Sequence, residues 1–96
     1  MNTFVAVLAL LITGSVSPHE FRQLHEGMTH HRVHRITHAT GVQVAPGEWR
    51  YRTVYGLGTK VVLNFTRLHK EDPMRLSEKR WCTRDFTVVW TCQHHP

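Results

Sequence analysis

Nine histidines in a chain of 96 residues are the first place to look for chemistry. His30, His34 and His38 recur at every fourth position, with His31 beside them. On a continuous helix these three would line one side, and two imidazoles at that spacing can grip a zinc ion. Nothing completes such a site. The chain has no HExxH and no CxxC, and the apolar stripe that marks a helix fades near His31. A solvated cationic stretch is the favoured reading, and neither a metal nor another cofactor is expected. Cys82 and Cys92 pose a geometric question. Along one straight strand they would stand ~33 Å apart, whereas a disulfide needs their Cα atoms within about 7 Å. A bond requires the chain to reverse, yet the stretch from Phe86 to Trp90 has no turn residue. An oxidising compartment favours the bond, so both states stay open at this level. No glycine-framed nucleophile or phosphate-cradling loop is present. A concave catalytic site is also rarely spared by so small a domain. The chain is expected not to be an enzyme.

The first residues bear on where these groups work. Residues 4–12, FVAVLALLI, are an unbroken apolar run followed by Thr13-Gly14-Ser15. The run is too short to span a membrane, which takes roughly 20 apolar residues. Its length and the small residues after it match a secretory signal, with cleavage expected after Ser15 or Ser17. The expected organisation is a signal peptide over residues 1–17 and one small domain over residues 18–96, secreted and monomeric. Asn64-Phe65-Thr66 is an N-glycosylation acceptor pattern, so Asn64 is a candidate glycan site. All twelve Lys and Arg and all seven Asp and Glu lie beyond residue 17, giving a net charge of +5. Such a surface favours acidic partners.

The elements that must position these groups follow from periodicity. Residues 18–31 read as a helix, since Phe21, Leu24 and Met28 form one apolar stripe. Pro18 suits a first turn and Glu20 the positive end of the helix dipole, although Gly27 weakens the helix by about 1 kcal/mol. Val33, Ile36, Val42 and Val44 are β-branched and suit strands. Ala45-Pro46-Gly47-Glu48 signals a turn. From residue 48 to 55 the chain alternates, with Trp49, Tyr51, Thr53 and Tyr55 on one face and Arg50 and Arg52 on the other. Gly56-Leu57-Gly58 marks a second turn. Residues 60–68 read as a strand with Val61, Leu63 and Phe65 on one face and Asn64 opposite. Residues 69–80 are polar and carry Pro73, so they read as a connecting loop. Phe86, Val88 and Trp90 alternate in a final strand ending near Cys92, which makes Trp90 a core residue on pattern alone. The expected fold is α+β, with one N-terminal helix packed on a small antiparallel sheet of three to four strands.

The order of these features, together with Gln43-Val44-Ala45-Pro46-Gly47, resembles the cystatin family. That family carries Gln-x-Val-x-Gly in its first hairpin loop. Gln43 and Gly47 match, and Ala45 stands at the central Val. Lys79-Arg80-Trp81-Cys82-Thr83 leading to Val89-Trp90 is similar to the family's Cys-bearing strand and its Pro-Trp loop, with Val89 in place of the proline. No glycine precedes the helix where the family has its flexible N-terminal site. The resemblance implies a non-catalytic inhibitor of papain-like cysteine proteases. Gln43, Ala45, Gly47 and Trp90 would then form a wedge entering the protease cleft. It also implies an exposed turn at Gly47 that tolerates added bulk.

A different class of function competes with this one, a secreted cationic binder of anionic surfaces such as a defence peptide or toxin. It rests on the net charge, on Arg50 and Arg52 beside aromatic residues, and on the histidines. His30, His31, His34 and His38 would gain charge together below about pH 6.5 and strengthen such binding.

Overall fold

The first helix is written into Ser17-Pro18-His19-Glu20. Pro18 needs no N–H partner at the first turn. The Ser17 hydroxyl accepts from the Glu20 amide at 3.1 Å, and the Glu20 carboxylate accepts from the Ser17 amide at 2.9 Å. This capping box satisfies two donors that the helix itself cannot. In the computed structural model, which describes residues 14–84 and 89–95, the helix α1 spans only Pro18–Gln23. Residues 4–12 of the expected signal, and Phe86 and Val88 of the expected last strand, lie outside the described residues.

The single helix expected over residues 18–31 is therefore two. Leu24 leaves α1 with an extended backbone and is wholly buried. Gly27, at φ 94, takes a conformation that favours glycine. Backbone groups here bond sideways instead of along a helix: the Gly27 amide to the Leu76 carbonyl at 2.8 Å, and the Leu76 amide to the Met28 carbonyl at 2.6 Å. The second helix, α2, spans His30–Thr37. Thr29 caps its start, and His38 ends it with a left-handed backbone at φ 53. It buries Val33 and Thr37 against the core. Strand-like Val33 and Ile36 sit in a helix because their propensity penalty, under about 0.7 kcal/mol each, is smaller than the gain from burying them.

The sheet is antiparallel with five strands in sequence order: β1 Val42–Ala45, β2 Glu48–Arg52, β3 Thr59–Thr66, β4 Arg75–Arg84 and β5 Trp90–His95. The expectation of three to four strands is corrected here. Strand β4 occupies part of the stretch read as a loop, residues 69–80. Its alternation was concealed because an inward position is filled by a charge, Lys79, and because a bulge at Asn64/Phe65 shifts its register against β3. The final strand is corrected too. Trp90 begins a new strand that runs back along β4, so Cys92 lies directly opposite Cys82.

The hairpin β1–β2 turns at Pro46 and Gly47. Gly47 has φ 75, and Pro followed by a positive-φ glycine is the type II combination. That turn splays paired strands, and the register shift between Gln43 and Ala45 accommodates it. Beyond the short β1, Val16 takes over the edge position. It bridges Thr53 in parallel, its amide donating to the Arg52 carbonyl at 2.8 Å.

Both helices belong to the core on one face of the sheet. There Tyr51, Val61, Leu63, Phe65 and Leu76 meet Val16, Phe21, Leu24, Val33 and Ala39. Among the described residues no helix is long and apolar enough to cross a membrane.

Candidate functional site

Alternation along the strands puts the arginines on the face away from the helices. The row Val42, Arg50, Val62, Arg80 crosses four strands, and the next row is Arg52, Lys60, Cys82, Cys92. Arg84 and Trp90 pair beyond it. Val62 and Cys82 are buried yet stand apart from the main core. Across the ladder Val62 stands between Arg50 and Arg80, and Cys82 between Lys60 and Cys92. Long cationic side chains at such positions carry apolar stems beside the buried residues and charges at the rim.

The charge on this face is not evenly compensated. At the end near the Pro46–Gly47 turn, Glu48 reaches Arg50 and Arg80 at 3.8 Å each, Glu78 reaches Arg80 at 2.9 Å, and Arg80 donates to the Asn64 side-chain oxygen at 3.1 Å. At the other end, the Lys60 ammonium stands 4.1 Å from the Trp90 ring centroid and the Arg84 guanidinium 5.2 Å from it. Arg52 is the neighbour of Lys60 across the ladder. Among the described residues Arg52, Lys60 and Arg84 have no carboxylate partner. Burial and the nearby Arg50 hold the Lys60 ammonium below the ordinary lysine value. Arg80 and Arg84 add to this, and Glu48 opposes it. An open groove of about 750 Å³ runs beside the cluster, with Val42, Val44, Arg50, Arg52, Lys60 and Trp90 along it.

The disulfide left open by the sequence is present. Cys82 and Cys92 are joined with their Cα atoms 4.0 Å apart. It fixes β5 to β4 two residues from Trp90, so it positions the aromatic member of the cation cluster. Trp90 is half-buried on the open face.

The residues expected to form a wedge are not brought together. Gln43 and Ala45 are exposed on β1 at the turn end, opposite Trp49 and Glu48. Trp90 lies at the other end of the sheet. By register it stands about 16 Å along the strands and about 19 Å across them from Gln43. Gly47 is buried, and its carbonyl accepts from the Phe65 amide at 2.7 Å. A Cβ at Gly47 would run into the Phe65 carbonyl oxygen. The expectation that this turn tolerates bulk is therefore corrected. Asn64 is half-buried mid-strand on the open face, held by Arg80.

The histidines separate as well. His30 turns inward, its ring centroid 4.4 Å from Trp49 and 5.4 Å from Phe65. Burial pushes the Tyr51 phenol up to about 12, and its hydroxyl shares a hydrogen bond with His30 Nε2 at 3.2 Å. Burial first and His34 second hold the His30 imidazole below its usual value. His34 Nδ1 lies 3.1 Å from the Ala39 carbonyl, and His38 is the helix cap. The expectation that His30 gains surface charge with its neighbours is corrected by this burial. Among the described residues no group of three or more His, Cys, Asp or Glu is arranged to hold a metal ion.

The sequence signal for Arg50 and Arg52 was legible from alternation. Lys60, Arg84 and Trp90 were missed as a group because only the reversal between β4 and β5 brings them together. Comparison with protein-family models, with curated proteins and with solved structures found no match to this chain.

Proposed function

We propose that this chain is a secreted basic domain that holds anionic surfaces or polymers against the open face of its sheet. Arg52, Lys60, Arg84 and Trp90 form its contact cluster. The observation that carries this reading is the placement of Lys60 and Arg84 over one half-buried tryptophan, with Arg52 beside Lys60 in the ladder and none of the three in an ion pair among the described residues. An arriving sulfate or phosphate replaces cation–cation repulsion with charge-assisted hydrogen bonds. The indole supplies an apolar surface beside them. The wedge-inhibitor reading needs Gln43, Ala45, Gly47 and Trp90 on one protruding edge, and their separation gives it no such support.

The test is retention on immobilised heparin across a salt gradient. The double variant Lys60→Gln/Arg84→Gln is compared with Arg32→Gln/Arg35→Gln, which removes the same charge from α2 on the other side of the molecule. The open-face variant should elute at clearly lower salt than the helix variant, because contact charges are screened least and matter most. Equal shifts for the two would mean that retention follows net charge alone, and the assignment to this face would fail.

A further inference from the structure

Lys79, the residue that disguises β4, occupies a position facing the helices and is 6% exposed. Its ammonium donates to the Phe21 carbonyl at 2.8 Å and stands 4.7 Å from the Phe21 ring centroid. An ammonium has three N–H groups, and one carbonyl accounts for one of them. Among the described residues no carboxylate pairs with it. Glu20, the acid nearest Phe21 in the chain, is committed to the cap of α1. Buried lysines are ordinarily paired, because an ammonium out of water loses several kcal/mol of hydration that a single neutral acceptor offsets only in part. Burial holds this ammonium below the ordinary lysine value.

Lys79 lies in the wall of a cavity of about 350 Å³, with Phe21, Arg22, Tyr55, Trp81 and Gln93 around it. That volume is within the range of small-molecule sites, about 300–1,000 Å³. Three aromatic rings shape it. Trp81 meets Phe21 edge-on at 5.3 Å and Tyr55 edge-on at 6.1 Å. Arg22, exposed in the last turn of α1, places a second cation at the rim. Apolar flat walls with cations at one side and no anion of their own are complementary to one kind of occupant.

We propose that this cavity binds a small organic carboxylate with a flat apolar body. The carboxylate meets Lys79 and Arg22, and the body lies along Phe21, Trp81 and Tyr55. The site is on the helix face, so it is separate from the cation cluster around Trp90 and independent of the function assigned to that cluster.

The experiment titrates 4-phenylbutyrate, and its uncharged amide as control, into the isotopically labelled full chain, followed by amide and indole NMR resonances. Saturable shifts should centre on Phe21, Lys79, Trp81 and Gln93, and the amide should bind roughly tenfold more weakly. Lys79→Met keeps the length of the stem and should weaken the carboxylate by roughly the same factor. The Phe21 carbonyl keeps its bond from the Leu24 amide at 3.2 Å, so this variant leaves no orphaned acceptor. Should it still fail to fold, Arg22→Gln at the exposed rim is read instead and should weaken binding by roughly threefold. The proposal is overturned if millimolar phenylbutyrate leaves these resonances unmoved, as it would were the cavity filled by another part of the chain. It is equally overturned if the amide binds as well as the acid, or if the shifts centre on Lys60 and Trp90.

Discussion

Replacing Cys82 and Cys92 together by alanine is expected to remove a large share of the domain's stability and to disperse the cations around Trp90. The bond joins residues ten apart in sequence. The chain-entropy relation assigns about 2.7 kcal/mol at 25 °C to closing a loop of that length. Small domains often hold only about 5 kcal/mol in total. At about 4–8 °C per kcal/mol for this size, the midpoint of thermal unfolding should fall by roughly 11–22 °C. The effect is also local. β5 is an edge strand, bonded to β4 alone, and without the crosslink it has one ladder to hold it. Circular dichroism melts and urea titrations of the wild type, the double variant and the reduced wild type measure the global cost. Tryptophan emission, read against Trp90→Phe, reports whether the indole leaves Lys60 and Arg84, and heparin retention should fall with it. A double variant within about 0.5 kcal/mol of wild type, with unchanged retention, would refute both the entropic estimate and the positioning role.

Acid should destabilise the fold through His30. Its folded-state pKa is lowered from 6.5 by burial and by His34, so the unfolded chain binds the proton first. The stability contribution is present above pH 6.5 and is lost as pH falls through the lowered value. Urea midpoints taken from neutral to mildly acid pH should fall, and His30→Gln should flatten the slope; identical slopes in both proteins would contradict this. Gly47→Ala should cost at least about 1 kcal/mol, from its positive φ and its collision with the Phe65 carbonyl. Gly58→Ala, which meets open space, should stay within about 0.5 kcal/mol; similar urea midpoints for the two would remove the strain argument. Secreted protein should retain Val16, which is wholly buried, and Ser17, which caps α1. An intact mass starting at Pro18 would show that neither is needed.

What could be read from the sequence was whatever obeyed a two-residue period with apolar residues on one side. Trp49, Tyr51, Val61, Leu63 and Phe65 were placed inward correctly, as were Arg50 and Arg52 outward. β4 was lost where its inward series, Leu76, Lys79, Trp81, contains a charge and slips by one residue at a bulge. The helix break at Leu24 was lost because the stripe Phe21, Leu24, Met28 fits helical spacing even though Leu24 and Met28 are drawn to the core outside a helix. The cation cluster was illegible for a different reason. Its members come from β2, β3, β4 and β5, and the reversal that joins the last two carries no glycine or proline in residues 86–90. The disulfide was undecidable for the same reason.

The burial of Val62 and Cys82 on a face whose cross-strand neighbours are Arg50, Arg80 and Lys60 has a consequence for anyone mapping it by mutation. The side chains that present the charge also flank those two residues with their apolar stems. Truncating Arg50, Lys60 or Arg80 to alanine removes an apolar stem beside a buried valine or the disulfide at the same moment that it deletes a cation. Loss of binding in such a scan reports on two events at once. Glutamine or methionine, which keep most of the stem and remove the charge, are the substitutions that separate recognition from packing.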